Sequence, residues 1–168
     1  MDGDGKSDVI VGAETADDPQ VKVFDAASGT LRTSFHPFGL VKAGTLRVAA
    51  GDVDGDGRPE IVASATLGYS PTVRVFAADG EKLAEARAFY NGASLAVGDL
   101  DGDGTAELAM SSGPGYSSTV VTFDESGTEE SWFQAYGYSF TNGVRVAAVD
   151  LDGNGTLEYI TGQGPGGG

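Results

Sequence analysis

An acidic motif that recurs at nearly constant intervals constrains this chain more than any other feature of its sequence. The motif reads D-x-D-G-D-G or a close variant, and its central aspartates, Asp2, Asp54, Asp101 and Asp152, lie 52, 47 and 51 residues apart. Between the motifs, short apolar runs alternate with clusters of Gly, Ser, Asp and Pro in the same order each time. A period of this size is typical of repeat architectures, in which each unit stacks on its neighbours.

Each full interval predicts four β-strands. In the second interval the apolar runs are residues 46–50, 61–65, 73–76 and 84–90. Period-two alternation with β-branched and aromatic residues is typical of strands, and we find no helical stripe. Four short antiparallel strands in about 50 residues form one blade of a β-propeller. We therefore predict an all-β chain of about three and a quarter propeller blades.

The repeat divides the chain into units of one propeller segment that covers residues 1–168. We predict a partial blade at 1–43, blades at 44–92 and 93–142, and a second partial blade at 143–168. Closed propellers usually contain about four to eight blades. We therefore expect either a partial propeller cut from a longer chain, which the position of Met1 inside the first motif favours, or a ring completed by homo-oligomerisation.

The acidic motifs have the composition of calcium-binding loops. In residues 52–60, carboxylates fall at positions 1, 3, 5 and 9, and a glycine at position 6 permits a sharp turn. Calcium takes six to eight oxygen ligands in a flexible shell, and the carbonyl of position 7 can add one. Four converging carboxylates repel one another strongly unless a cation lies between them.

The same positions define the candidate ligands of all four loops. They are Asp2, Asp4, Lys6 (carbonyl) and Asp8 in the first loop; Asp52, Asp54, Asp56, Arg58 (carbonyl) and Glu60 in the second; Asp99, Asp101, Asp103, Thr105 (carbonyl) and Glu107 in the third; and Asp150, Asp152, Asn154, Thr156 (carbonyl) and Glu158 in the fourth. Position 1 of the first loop would precede Met1, so that site is incomplete. Asn154 removes one charge from the fourth loop, which should weaken its affinity.

Two other interpretations of the loops fit less well. An EF-hand needs flanking helices and a bidentate Glu at position 12, whereas position 12 here is Ala63, Met110 or Thr161 and the flanks resemble strands. Plain Asp-Gly hairpin turns are common, but they do not require a nine-residue pattern repeated four times.

Composition narrows the possible functions. The net charge is −15, and the four loops hold 14 of the 25 acidic residues. So acidic a chain is not expected to bind nucleic acid, and no apolar stretch is long enough for membrane insertion. There is no cysteine, and His36 is the single histidine. Because no nucleophile motif is present and calcium explains the paired carboxylates better than glycosidase chemistry does, we expect no enzymatic activity.

The loops D-V-D-G-D-G-R-P-E and D-L-D-G-D-G-T-A-E, together with V-R-V-F and G-V-R-V-A-A, resemble FG-GAP/VCBS repeats. These are the blade units of integrin α-subunit propellers and of many bacterial extracellular proteins. The resemblance implies Ca²⁺ in the hairpin between the first and second strands of each blade, and structural and adhesive roles. Calcium sites of short extracellular modules bind at roughly 10⁻⁴–10⁻³ M, so we expect the chain to be extracellular or at the cell surface.

The expected function is a calcium-binding scaffold or a protein-interaction and adhesion surface, whose protein or glycan partner the sequence does not identify. Two alternatives remain open: a lectin-like, carbohydrate-binding propeller, and a non-catalytic part of a secreted polysaccharide-active enzyme. The aromatic cluster Trp132, Tyr136, Tyr138 and Phe140 is interpreted first as packing and second as a sugar-stacking or partner-binding patch.

Overall fold

Thirteen β-strands form the regular structure of the residues that the computed structural model describes, which are 6–13, 19–39, 46–67, 70–87 and 94–164. The described residues include no helix. The strands are β1 Asp8–Gly12, β2 Val21–Asp25, β3 Leu31–Phe35, β4 Leu46–Gly51, β5 Glu60–Leu67, β6 Ser70–Phe76, β7 Lys82–Arg87, β8 Ser94–Gly98, β9 Glu107–Ser111, β10 Thr119–Phe123, β11 Glu129–Gln134, β12 Val144–Val149 and β13 Glu158–Gln163.

Consecutive strands pair antiparallel and form four sheets. The sheets have the orders β1-β2-β3, β4-β5-β6-β7, β8-β9-β10-β11 and β12-β13. Within each sheet, every strand thus bonds to its neighbour in sequence, as in the meander of a propeller blade. The predicted all-β class and antiparallel blades are confirmed, and no closed barrel forms among the described residues. The predicted limits of the units remain predictions.

The hydrophobic core lies between the sheets. Alternate residues of a strand point to opposite faces, so Ile61 packs against the first sheet and Val62 against the third, and both are fully buried. Three clusters fill the interfaces: Val21, Val23, Ile61 and Ala63 between sheets one and two; Val62, Val73, Met110 and Val121 between two and three; and Ala109, Val120, Val144 and Val146 between three and four. Each such Val or Ile contributes roughly 1.5–3 kcal/mol on burial.

The first strands of successive sheets lie side by side. β4 contacts β1 and β8, and β8 in turn contacts β12. The three loops that follow β4, β8 and β12 therefore lie at the same end of the stack. No helix among the described segments is long and apolar enough to cross a membrane.

The closest approach between sheets depends on glycine. A Cβ atom on Gly51, the last residue of β4, would lie 2.4 Å from Cγ1 of Val97 and 3.2 Å from Cβ of Ala106. A Cβ on Gly98, at the same place in β8, would lie 2.1 Å from Cδ1 of Leu157. Glycine at these positions thus lets the next sheet approach closely.

We expect Gly51→Ala to lower the free energy of unfolding by about 1–3 kcal/mol, because the β-branched side chain of Val97 has little freedom to move away. Chemical denaturation in chelator measures the change. Gly162→Ala is the matched control, since Gly162 also lies in a strand but no atom lies within 4 Å of its added Cβ. Equal destabilisation by the two substitutions would contradict this account of the interface.

Candidate metal centre

Three hairpin loops each bring together three of the carboxylates that the sequence marked as candidate ligands. In the second, third and fourth loops, the side chains at positions 1, 3 and 9 each offer an oxygen, and in each loop these oxygens lie within 4.8 Å of one another. The three clusters are Asp52, Asp54 and Glu60; Asp99, Asp101 and Glu107; and Asp150, Asp152 and Glu158. Each cluster could hold a metal ion.

Glycine gives the loops their tight curvature. The glycines at positions 4 and 6 have positive φ angles in all three loops, such as 73° at Gly55 and 86° at Gly57. L-residues with a Cβ rarely adopt this conformation. The carboxylate at position 1 then fixes the turn, because Oδ2 of Asp52 accepts the backbone N–H of Gly57 at 2.8 Å.

The side chain at position 5 forms hydrogen bonds within the turn. Oδ1 of Asp56 accepts the backbone N–H of Arg58 at 2.8 Å, and Oδ1 of Asp103 accepts both the N–H and the hydroxyl of Thr105. Asn154 makes the same pair of bonds with Thr156. Position 5 therefore closes the turn and does not join the three-carboxylate clusters. Its ligand role, and those of the position-7 carbonyls, remain predictions.

The position-9 glutamate is anchored beneath each loop. Oε2 of Glu60 accepts the N–H of Val53 at 2.8 Å, Oε2 of Glu107 accepts that of Leu100 at 2.7 Å, and Oε2 of Glu158 accepts that of Leu151 at 2.8 Å. Each bond links position 9 to position 2 across the hairpin. Motif spacing does not reveal this bond, because it depends on the side-chain conformation at the start of the following strand.

Two of these glutamates are buried, which makes their ionised form electrostatically unfavourable. Glu60 and Glu107 are only 6% and 4% exposed. Burial raises the pKa of Glu60, and the negative charges of Asp54 and Asp56 raise it further. Burial likewise raises the pKa of Glu107, with Asp101, Asp103 and Glu130 adding to the effect. A cation among these groups would relieve both the desolvation and the repulsion.

One carboxylate oxygen of the second loop lacks a partner. Oδ1 of Asp52 is buried and accepts no hydrogen bond from the described residues. Oδ1 of the equivalent Asp99 and Asp150 accepts the N–H of Gly102 or Gly153, at 2.6 Å in both cases. A buried charged oxygen without a partner is costly, and a bound cation is the kind of ligand that would satisfy it.

The first loop differs from the others. Asp2 and Asp4 lie outside the described residues, and Lys6 is exposed. Asp8, at position 9, begins β1 and forms an ion pair with Arg32, whose Nε lies 3.1 Å from Oδ1. The structure thus places an arginine at the acid that was predicted to close this site.

The three described loops form a connected row. The carbonyl of Asp52 accepts the N–H of Ala106 at 2.7 Å, and the carbonyl of Asp99 accepts that of Leu157 at 2.9 Å. In both cases position 1 of one loop bonds to position 8 of the next. The loops therefore depend on the stacking of the sheets as well as on their own sequence.

We expect the metal-free protein to lose stability as the pH rises through the raised pKa values of Glu60 and Glu107, because each carboxyl group is easier to bury when protonated. This contribution is fully present below the ordinary pKa of 4.5. Glu107→Gln removes one of these ionisable groups. The melting temperature of this variant should therefore rise relative to that of the parent as the pH increases above 4.5. Thermal unfolding in metal-free buffer from about pH 4 to 8 measures the difference.

The control for this experiment is Glu129→Gln, which makes the same chemical change at an exposed position. Because that side chain is exposed, the substitution shows the effect of the amide without removing a buried charge. If the difference between Glu107→Gln and the parent does not change with pH, burial of the ionised carboxylate carries no cost.

Comparison with known protein families agrees with the repeat. A family model described as an FG-GAP-like repeat matches residues 1–63 and 99–161. Each matched range contains two of the four acidic loops and ends within the strand that follows the second of them. A search of curated proteins gives no match.

Proposed function

Because the chain belongs to the FG-GAP-like repeat family, we propose that it is a calcium-stabilised propeller segment that acts as an extracellular scaffold or adhesion surface. Ca²⁺ would bind in the hairpin loops at residues 52–60, 99–107 and 150–158. The ion would supply positive charge that holds each loop together. The proposed role is structural and non-catalytic, and the proposed partner is a protein or a glycan.

The observation that carries this proposal is the buried, unpartnered Oδ1 of Asp52 beside two further carboxylates. One carboxylate oxygen of Asp52 lies within 4.8 Å of an oxygen of Asp54 and one of Glu60, which are also negatively charged when ionised. Within the described part of the chain, the ion pairs lie elsewhere, at Arg32 and at Glu85. A cation from solution is therefore the natural partner of this group.

Calcium fits these donors better than other common ions. All side-chain donors are oxygens, which favours hard cations over zinc or copper. The described donors come from turns and hairpin ends, and Ca²⁺ accepts irregular shells of six to eight oxygens, whereas Mg²⁺ demands a nearly ideal octahedron. The remaining ligands would be backbone carbonyls and water.

An extracellular location follows from the proposed affinity. Sites of this type in extracellular modules have dissociation constants of roughly 10⁻⁴–10⁻³ M, so they fill where calcium is millimolar. FG-GAP repeats are typical of extracellular proteins, which supports the same location.

We expect calcium to raise the melting temperature of the chelated protein. With about 10 mM Ca²⁺ and the affinities above, each filled loop adds about 1.4–2.7 kcal/mol, or roughly 3–10 °C. Asp52→Asn should reduce the calcium-dependent rise by about the contribution of one loop, because it removes the negative charge of the carboxylate whose Oδ1 is buried without a partner. Differential scanning calorimetry with and without chelator measures both effects.

The matched control is Asp79→Asn, which makes the same change in the β6–β7 turn, where Oδ1 of Asp79 accepts the N–H of Glu81. It should leave the calcium response intact. Identical melting curves in calcium and in chelator would overturn the proposal, and 10 mM Mg²⁺ should give a clearly smaller rise.

A carbohydrate-binding role is the second candidate, because two side chains of the aromatic cluster are exposed. Trp132 on β11 is 56% exposed and Tyr138 is 76% exposed, whereas the rings of Tyr136 and Phe140 pack against each other in a tilted arrangement with centroids 5.0 Å apart. Packing therefore accounts for the second pair and not for the first. Exposed aromatic rings are common stacking surfaces for apolar ligand faces.

If this second role holds, a glycan array should report binding that Trp132→Ala reduces at least about tenfold, a loss of 1.4 kcal/mol or more. Leu31→Ala removes an exposed apolar side chain outside this region and is the control. If the unaltered protein binds no glycan, the carbohydrate-binding role is excluded and only the scaffold or adhesion role remains.

A further inference from the structure

A β-bulge recurs at the same place in the last strand of each of the first three sheets. The register shifts by one residue between β2 and β3, between β6 and β7, and between β10 and β11. The extra residue is Arg32, Leu83 or Glu130, and each lies three residues after the glycine of the preceding turn. Bulges redirect side chains, so these three residues are structurally equivalent but differ in charge.

In the first sheet the bulge residue is a cation that contacts the acidic loop. Arg32 bonds to Oδ1 of Asp8 at 3.1 Å through Nε and to Oδ2 of Asp25 at 2.5 Å through a terminal nitrogen. The side chain of Asp8 is only 3% exposed, and Asp8 is position 9 of its loop. The guanidinium thus lies against the acid that corresponds to the buried Glu60 and Glu107.

In the third sheet the equivalent residue is an anion. Glu130 is exposed, yet slight desolvation raises its pKa, and the charges of Asp124, Asp101, Glu125 and Asp103 add to the effect. Asp124 follows β10 as Asp25 ends β2, so Glu130 and Arg32 occupy corresponding places next to corresponding aspartates. The charge of Glu130 in turn raises the pKa of Glu107 and, after burial and Glu107 itself, that of Tyr159.

The second sheet is the neutral case. Leu83 occupies the bulge and is 49% exposed, and Ala77 stands where the first sheet has Asp25. The three sheets therefore combine a similar acidic loop with a positive, a neutral and a negative residue at one neighbouring position.

We infer that the bulge residue sets how strongly the loop of its own sheet binds a cation. Arg32 acts as a counter-ion to Asp8 and lowers the affinity of the first loop for a metal ion. Glu130 adds negative charge and strengthens binding at the third loop, and Leu83 leaves the second loop with the charge of its own carboxylates. This inference rests on the calcium proposal and extends it to differences among the loops.

The sign of the effect follows from Coulomb interaction. A divalent ion gains attraction from every nearby anion and loses it to every nearby cation. Glu130 is exposed, like Glu129 beside it, but it is the bulge residue, and its charge acts on the carboxylate of Glu107. Reversing its charge should therefore change the affinity more than the same reversal at Glu129, which pairs regularly with Phe123.

The test is Glu130→Arg, which gives the third sheet the residue type of the first. Calcium binding is measured by isothermal titration calorimetry in a background where Asp52→Asn and Asp150→Asn weaken the second and fourth loops. We expect the dissociation constant of the third loop to rise at least about tenfold. In chelator, the same substitution should raise the melting temperature, because an internal cation then relieves the repulsion.

Glu129→Arg is the matched control, since it makes the same charge reversal at the neighbouring, equally exposed residue, which pairs with Phe123 and is not the bulge residue. It should change the dissociation constant by less than about threefold. Leu83→Arg, tested with the second loop intact, should weaken that loop, and it keeps the test decisive if Glu130→Arg fails to fold.

The outcomes separate the two proposals. If the unaltered chain binds no calcium, the proposed function fails. If it binds calcium but Glu130→Arg and Leu83→Arg match the Glu129→Arg control in both affinity and chelated melting temperature, the inference about the bulge residue is overturned while the calcium proposal stands.

Discussion

Close stacking of successive sheets at their first strands is the constraint on which the rest of this structure depends. Glycine at the end of β4 and β8 lets the next sheet approach to contact distance. The same approach joins position 1 of one loop to position 8 of the next through a backbone hydrogen bond. The interface core and the row of acidic loops are thus two results of one packing arrangement.

Stacking has an electrostatic cost, because the last carboxylates of the second and third motifs, Glu60 and Glu107, are buried beneath their hairpins. Glu107 is nearly fully buried and is held by the N–H of Leu100, so it cannot turn toward solvent without breaking that bond. In the first sheet, Arg32 neutralises the corresponding acid, Asp8, through an ion pair. In the other loops, the proposed calcium ions would supply the positive charge. The loop glycines allow the backbone to adjust to the cation that is present.

Much of this arrangement could be predicted from the sequence. The acidic period located the hairpins, and alternation located the strands, because both depend only on residues close together in the chain. The ligand role of position 5 remains a prediction, but prediction from the sequence did not foresee that Asp56 closes the turn by accepting the N–H of Arg58. Prediction also missed the hydrogen bond from Val53 to Glu60 and the ion pair of Arg32, which depend on register and side-chain conformation.

The sequence by itself determined that the chain forms antiparallel blades with an acidic loop after the first strand of each. Periodicity and turn residues encode this locally, without reference to distant contacts. Only the tertiary structure decided which carboxylates converge and which charge lies beside them. The bulge that aligns Arg32, Leu83 and Glu130 arises from the pairing of separate strands, and a charge acts on a loop through distance in space, which the order of residues does not specify.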